Sequence, residues 1–80
     1  MKLPVIKELV EKYDVDTLQA AEESIINEEQ PAIEVQGDDE GEQLTHVLAA
    51  IWIRSQIDQH GWDYKTALRE YSKRVRTSIS

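Results

Sequence analysis

Apolar residues recur along the chain at the spacing of amphipathic helices, and this pattern predicts four helices. The first begins at Pro4, because proline lacks the N–H that a first-turn residue leaves unpaired. One apolar stripe follows it at positions i, i+3, i+4 and i+7: Ile6, Leu9, Val10 and Tyr13. The second helix is predicted to follow an N-cap at Asp16, with Gln19 at the capping-box position, and to end before Pro31.

The third predicted helix, from about Glu42 to His60, is apolar on every side, and Gly61 follows it as a C-terminal cap. Its side chains form two faces. We predict that the first face belongs to the chain's own core: Leu44, Val47, Leu48, Ile51 and, at its edge, Trp52. The second face, with Ala49 beside it, is the candidate interface, or else it is also core and the helix is an internal pillar: His46, Ala50, Ile53, Ile57 and His60.

The fourth predicted helix follows a cap at Asp63 and runs from Tyr64 to about Ser78. Beside its apolar stripe it carries a basic stripe, which is a candidate binding surface: Lys65, Arg69, Lys73 and Arg76. The helix is therefore both amphipathic and basic.

Residues 30–41 form the one segment without helical spacing, and this segment is acidic. Ile33 and Val35 alternate with polar residues, which is the period of a strand. Residues 33–36 are therefore either an extended part of a loop or a short strand that pairs with another molecule. The loop is favoured, because a lone strand has no partner inside a helical chain.

These elements predict an all-α fold, a single four-helix domain over residues 1–80 with the third helix at its centre. A core of this size seldom supplies more than about 3–5 kcal/mol without a further constraint. The chain has no cysteine, so oligomerisation is the remaining one, and we predict a homo-oligomer, most simply a homodimer. On this prediction Ile51→Asp unfolds the chain, whereas Ile53→Asp gives a folded monomer.

Charge is distributed unevenly, although the net charge is −7. Residues 13–42 contain many acids and no lysine or arginine, whereas the last helix is basic. The basic stripe could bind an acidic partner, or the two halves could face each other within the fold. The second interpretation is favoured, because opposite charges on neighbouring short helices usually settle together.

No catalytic, cofactor-binding or metal-binding residue is predicted. His46 and His60 lie about 21 Å apart along one helix, so they cannot share a metal ion within one chain. Two partly exposed histidines are favoured over a contact across a two-fold axis. A carboxylate di-metal motif would need glutamate where Gln43 stands, and the acids at 38–42 lack the spacing of a calcium loop.

The start of the sequence lacks the pattern of a signal peptide and the apolar run at 47–53 is too short to span a bilayer, so we expect a soluble cytoplasmic protein. The favoured function is a non-enzymatic interaction module that binds a second copy or another cytoplasmic protein. One alternative is a nucleic-acid-associated regulator that uses the basic stripe, which the net negative charge disfavours. The other is a small enzyme with a histidine and carboxylate site.

Both ends of the chain carry the sequence patterns of a known family. The start, residues 1–7 (MKLPVIK), the pair Ala67-Leu68, and Lys73-Arg74-Val75 before Ser78-Ile79 resemble a family of short bacterial proteins without an assigned function. The resemblance implies a small, soluble, helical protein encoded near thiol-redox proteins of the thioredoxin and peroxiredoxin type. Without cysteine, any such role would be that of a partner and not of a redox catalyst.

Overall fold

The computed structural model describes residues 2–79, with side chains as far as Val75, and contains four α-helices. Their bounds are α1 Leu3–Lys12, α2 Val15–Ile26, α3 Glu40–His60 and α4 Tyr64–Ile79. No strand occurs within residues 2–79, so the predicted all-α fold is confirmed. Residues 33–36 belong to the loop between α2 and α3.

The boundaries of α2 correct one sequence prediction and agree with another. Asp14, and not Asp16, is the N-cap, since its Oδ1 accepts a hydrogen bond from the backbone N–H of Thr17 at 2.8 Å. Asp16 lies inside the first turn, where a carboxylate interacts favourably with the helix dipole. The helix also ends well before Pro31, because Glu28 adopts a left-handed backbone (φ 61°) that closes it.

Residue chemistry fixes the junction between α3 and α4 as the sequence predicts. Gly61 takes a left-handed conformation (φ 70°), and its N–H donates to the carbonyl of Ile57 at 2.9 Å. Asp63 caps α4, since its Oδ1 accepts a hydrogen bond from the N–H of Thr66 at 2.8 Å. α3 begins at Glu40, slightly before the predicted start, because Asp39 serves as its N-cap.

α3 is the central helix, and α1, α2 and α4 each make their main helix–helix contacts with it. The fully buried side chains of largest volume come from three of the helices: Ile6, Val10, Leu18, His46, Val47 and Ile53. α1, α2 and α4 therefore all pack against α3, which supplies the centre of the core.

Burial along α3 differs from the predicted faces at several positions, although Val47 of the predicted core face is fully buried, as predicted. His46, Ala50 and Ile53, from the predicted interface, are fully buried inside the chain, while Leu48, from the predicted core face, is 46% exposed. Both faces are apolar, so periodicity could not show which one α1 and α2 would cover. Toward the end of the predicted interface, Ile57 is partly exposed and His60 is exposed, and neither forms a continuous surface with the buried residues.

Candidate functional site

The candidate site is an apolar surface on the side of α3 that the chain covers only in part. Its members recur at i, i+4, i+7 and i+8, so they share one side of the helix. We call this surface the outer strip, and it consists of Leu44, Leu48, Ile51 and Trp52. Leu48 is exposed, and the other three are partly exposed. An apolar strip at the surface of a helix is typical of a contact surface.

α4 borders the outer strip at Trp52. The indole ring of Trp52 lies 5.8 Å from the ring of Tyr71, at an angle of 49°. The guanidinium of Arg74 lies over the same indole, 5.4 Å from its centroid, which is a cation–π arrangement. These contacts fix the indole in place and set a positive charge at the edge of the outer strip.

The predicted basic surface is partly described by the structure. Lys65, Arg69 and Lys73 are exposed on α4, and the side chain of Arg76 lies outside the described residues. The Nζ of Lys73 lies 3.5 Å from Oε1 of Glu70, so this ion pair is formed within α4 and does not reach the acidic half. An exposed pair of this kind contributes little to stability.

His46 ties three parts of the chain together, although the sequence predicts a partly exposed side chain there. Its ring is fully buried. Nδ1 lies 2.8 Å from the backbone carbonyl of Gln36, and Nε2 lies 3.0 Å from the backbone nitrogen of Lys2. The side chain thus joins α3 to the loop before it and to the start of α1.

Glu42 stands one turn before His46 and faces the same ring. Its Oε1 lies 3.9 Å from Nε2 of His46 and 4.0 Å from Nζ of Lys2. This oxygen is buried and has no hydrogen-bond partner among the described residues. Sequence reasoning missed the pair by testing only a Glu-x-x-His pattern, whereas the i, i+4 spacing of Glu42 and His46 was the available signal.

The second histidine has a different environment. His60 is exposed at the end of α3 and stacks on Trp62, with ring centroids 4.5 Å apart and planes 20° apart. Trp62 is partly buried and packs against the core.

No metal site is formed by the described residues, since no group of three histidine, aspartate or glutamate side chains lies close enough together. A cavity of about 220 Å³ lies between the end of α2 and the start of α3. Four glutamates surround it, over a floor that includes Ile25: Glu28, Glu29, Glu34 and Glu40.

Three groups near helix starts have altered acidities. Hydrogen bonds from Thr17 and Thr66 lower the pKa of Asp14 and of Asp63, respectively, because each bond stabilises the carboxylate. Burial raises the pKa of the Tyr64 phenol, with a smaller effect of Glu11 in the same direction. These groups support helix ends and packing.

Comparison with known proteins places the chain in a family. It belongs to a family of unknown function (DUF6952), whose model matches residues 1–80. The resemblance to an uncharacterised family, carried by the two ends of the sequence, is thereby confirmed. Comparisons with curated proteins and with solved structures gave no match. Among the described residues, no helix is both long and apolar enough to cross a membrane.

Proposed function

We propose that this protein is a non-enzymatic interaction module that pairs with a second copy of itself through the outer strip of α3. The observation that carries the proposal is the exposure of Leu48, at 46%, within a strip whose other members are also apolar. Burial of such a strip releases water from apolar surface, which is the main driving force of association.

A second copy is the occupant that the size of the chain favours. A small core without disulfides gains stability from any partner that binds the folded state alone. Leu44, Leu48 and Ile51 follow one another at intervals of four and three residues, the spacing of a seam between two paired helices. The α3 helix of a second copy presents the same residues at the same spacing, as a two-fold interface requires.

The area that such a pair needs extends beyond the strip. A stable interface buries about 800 Å² on each partner, and the total surface of this chain is 5340 Å². The contact would therefore take in the neighbouring edge of α4, where Tyr71 and Arg74 flank Trp52. Tryptophan, tyrosine and arginine are the residue types that dominate binding energy in interfaces.

Sedimentation equilibrium on two matched variants tests the proposal. Leu48→Gln removes the centre of the outer strip, and Ile26→Gln makes the same kind of change at a 60% exposed residue of α2, away from that strip. We expect Leu48→Gln to weaken the dimer at least about tenfold, because two copies of the residue are lost per dimer. Ile26→Gln should leave the association constant unchanged.

Two results would count against self-association. One is a native chain that stays monomeric at high micromolar concentration. The other is an equal loss of association in both variants, which would indicate nonspecific contact. A monomer that captures a different protein in a Leu48-dependent manner would keep the outer strip as a binding surface and replace the second copy as its occupant.

A further inference from the structure

The hydrogen bonds of His46 define one protonation state of its ring. The carbonyl of Gln36 can only accept, so Nδ1, 2.8 Å away, carries a proton and donates it. The backbone N–H of Lys2 can only donate, so Nε2, 3.0 Å away, accepts through its lone pair. Both contacts together require the neutral imidazole with its proton on Nδ1.

A proton added to Nε2 would change this atom from a hydrogen-bond acceptor to a donor, so its contact with the N–H of Lys2 would become unfavourable. The imidazolium has two N–H donors and no acceptor. Nε2–H and the backbone N–H of Lys2 would then be two donors facing each other at 3.0 Å. The bond to Gln36 would survive, because Nδ1 donates in both states.

An acceptor for that added proton already lies beside the ring. Oε1 of Glu42 is 3.9 Å from Nε2, buried, and without a hydrogen-bond partner among the described residues. A movement of about 1 Å would bring the two atoms to the distance of a charge-assisted hydrogen bond. The lack of a hydrogen bond to this Glu42 oxygen is otherwise a cost to the fold, because buried polar atoms are normally hydrogen-bonded.

Two other charged groups described near the ring have opposite effects on its protonation. Lys2 opposes protonation, since its Nζ lies 4.0 Å from the same Glu42 oxygen, but its side chain is 59% exposed and can turn away. Asp38, from the loop before α3, lies 3.9 Å from Nζ of Lys2 and offers that ammonium a second partner. If the side chain of Lys2 turns toward Asp38, the carboxylate of Glu42 becomes available to pair with the imidazolium of His46.

We propose that His46 is a pH-operated switch that exchanges the Lys2 N–H for the Glu42 carboxylate and thereby releases the start of α1. Lys2 is the N-cap residue of α1, and its carbonyl accepts the N–H of Val5 at 3.1 Å. α1 has no side-chain cap of its own, so the His46 contact is what ties its N-cap residue to α3, while the rest of the first turn is held by buried Val5 and Ile6. Histidine is the side chain whose charge normally changes near neutral pH.

Amide hydrogen exchange at the start of α1 tests the switch. Between about pH 8 and about pH 5.5 we expect protection at Lys2 and Val5, corrected for intrinsic exchange, to fall about tenfold, the value of one ordinary hydrogen bond. Protection within the α3–α4 junction should not change. His60→Gln, which removes the other histidine, should reproduce the native pH dependence.

Glu42→Gln is the deciding variant, since it keeps the shape of the side chain and removes its negative charge. We expect it to move the midpoint of the exchange transition to lower pH, because the imidazolium loses its carboxylate partner. Ring nitrogen NMR shifts report the tautomer directly and do not depend on a variant that folds. A proton on Nε2 at neutral pH, or an unchanged midpoint in Glu42→Gln, would overturn the proposal.

Discussion

Truncation of Ile53 and of Leu48 to alanine should have very different effects, although both residues are aliphatic and lie on α3. Each change removes three carbon atoms from the side chain. Ile53 is fully buried, so the lost transfer free energy is about 0.8 kcal/mol per methylene, or about 2.4 kcal/mol in all. The cavity left behind adds to this, and buried isoleucine-to-alanine changes cost about 2–5 kcal/mol.

Truncation of Leu48 to alanine should lower the free energy of unfolding much less. With 46% of the residue already exposed, only about half of the transfer free energy applies, roughly 1.3 kcal/mol, and no closed cavity forms. A chain of this length has a total free energy of unfolding of about 4–12 kcal/mol. Ile53→Ala should therefore remove a large part of the stability, and Leu48→Ala a small part.

Urea unfolding followed by far-ultraviolet circular dichroism measures both losses. The titration should be repeated after a tenfold dilution of the protein, because dimer formation through Leu48 would add a concentration-dependent contribution. Equal losses at the lower concentration, or a larger loss for Leu48→Ala, would show that α3 is rotated about its axis relative to the described packing. Either result would refute the assignment of the outer strip.

Two further predictions concern titratable groups. The pKa of Asp14 is lowered in the folded state, so its stabilising effect is complete above the unfolded-state pKa and is lost as pH falls through the folded-state pKa. In urea at about pH 7, Asp14→Ala should therefore have a lower free energy of unfolding than Asp14→Asn. The difference in free energy of unfolding between Asp14→Ala and the native chain should become smaller at about pH 2. A difference that does not depend on pH would contradict this. The hydroxyl of Tyr64 is buried without a hydrogen-bond partner among the described residues, so Tyr64→Phe should raise the free energy of unfolding at neutral pH by about 1 kcal/mol. Because the folded-state pKa of Tyr64 is raised, the native chain should also lose stability as pH rises above about 10, where the unfolded tyrosine ionises first, and the phenylalanine variant should lose less. A variant less stable than the native chain at both pH values would show that the hydroxyl has a partner.

Sequence reasoning succeeded where one residue decides the local backbone. Gly61 and Asp63 fix the end of α3 and the start of α4, since few other residue types satisfy a left-handed cap or an exposed N–H so well. It failed between Asp14 and Asp16, because both precede a helical pattern and only the final chain direction selects the cap.

The site was harder to predict for a related reason. Periodicity shows that α3 has two apolar faces, but the face that is buried depends on where α1 and α2 dock. The partners of His46 are backbone groups of Lys2 and Gln36, which any residue type could supply, so composition carries no signal for them. Of this cluster only Glu42, one turn away, was accessible to pattern analysis.

The central position of α3 has a consequence for the order of folding. α4 reaches α3 through the short connection at residues 61–63, whereas α1 and α2 reach it only after the longer loop at residues 27–39 is closed. Loop closure costs conformational entropy that increases with length, so the hairpin of α3 and α4 is the pair that forms at least cost. We therefore expect α1 and α2 to dock onto that hairpin afterwards, and the ring of His46 to become buried only in this last step.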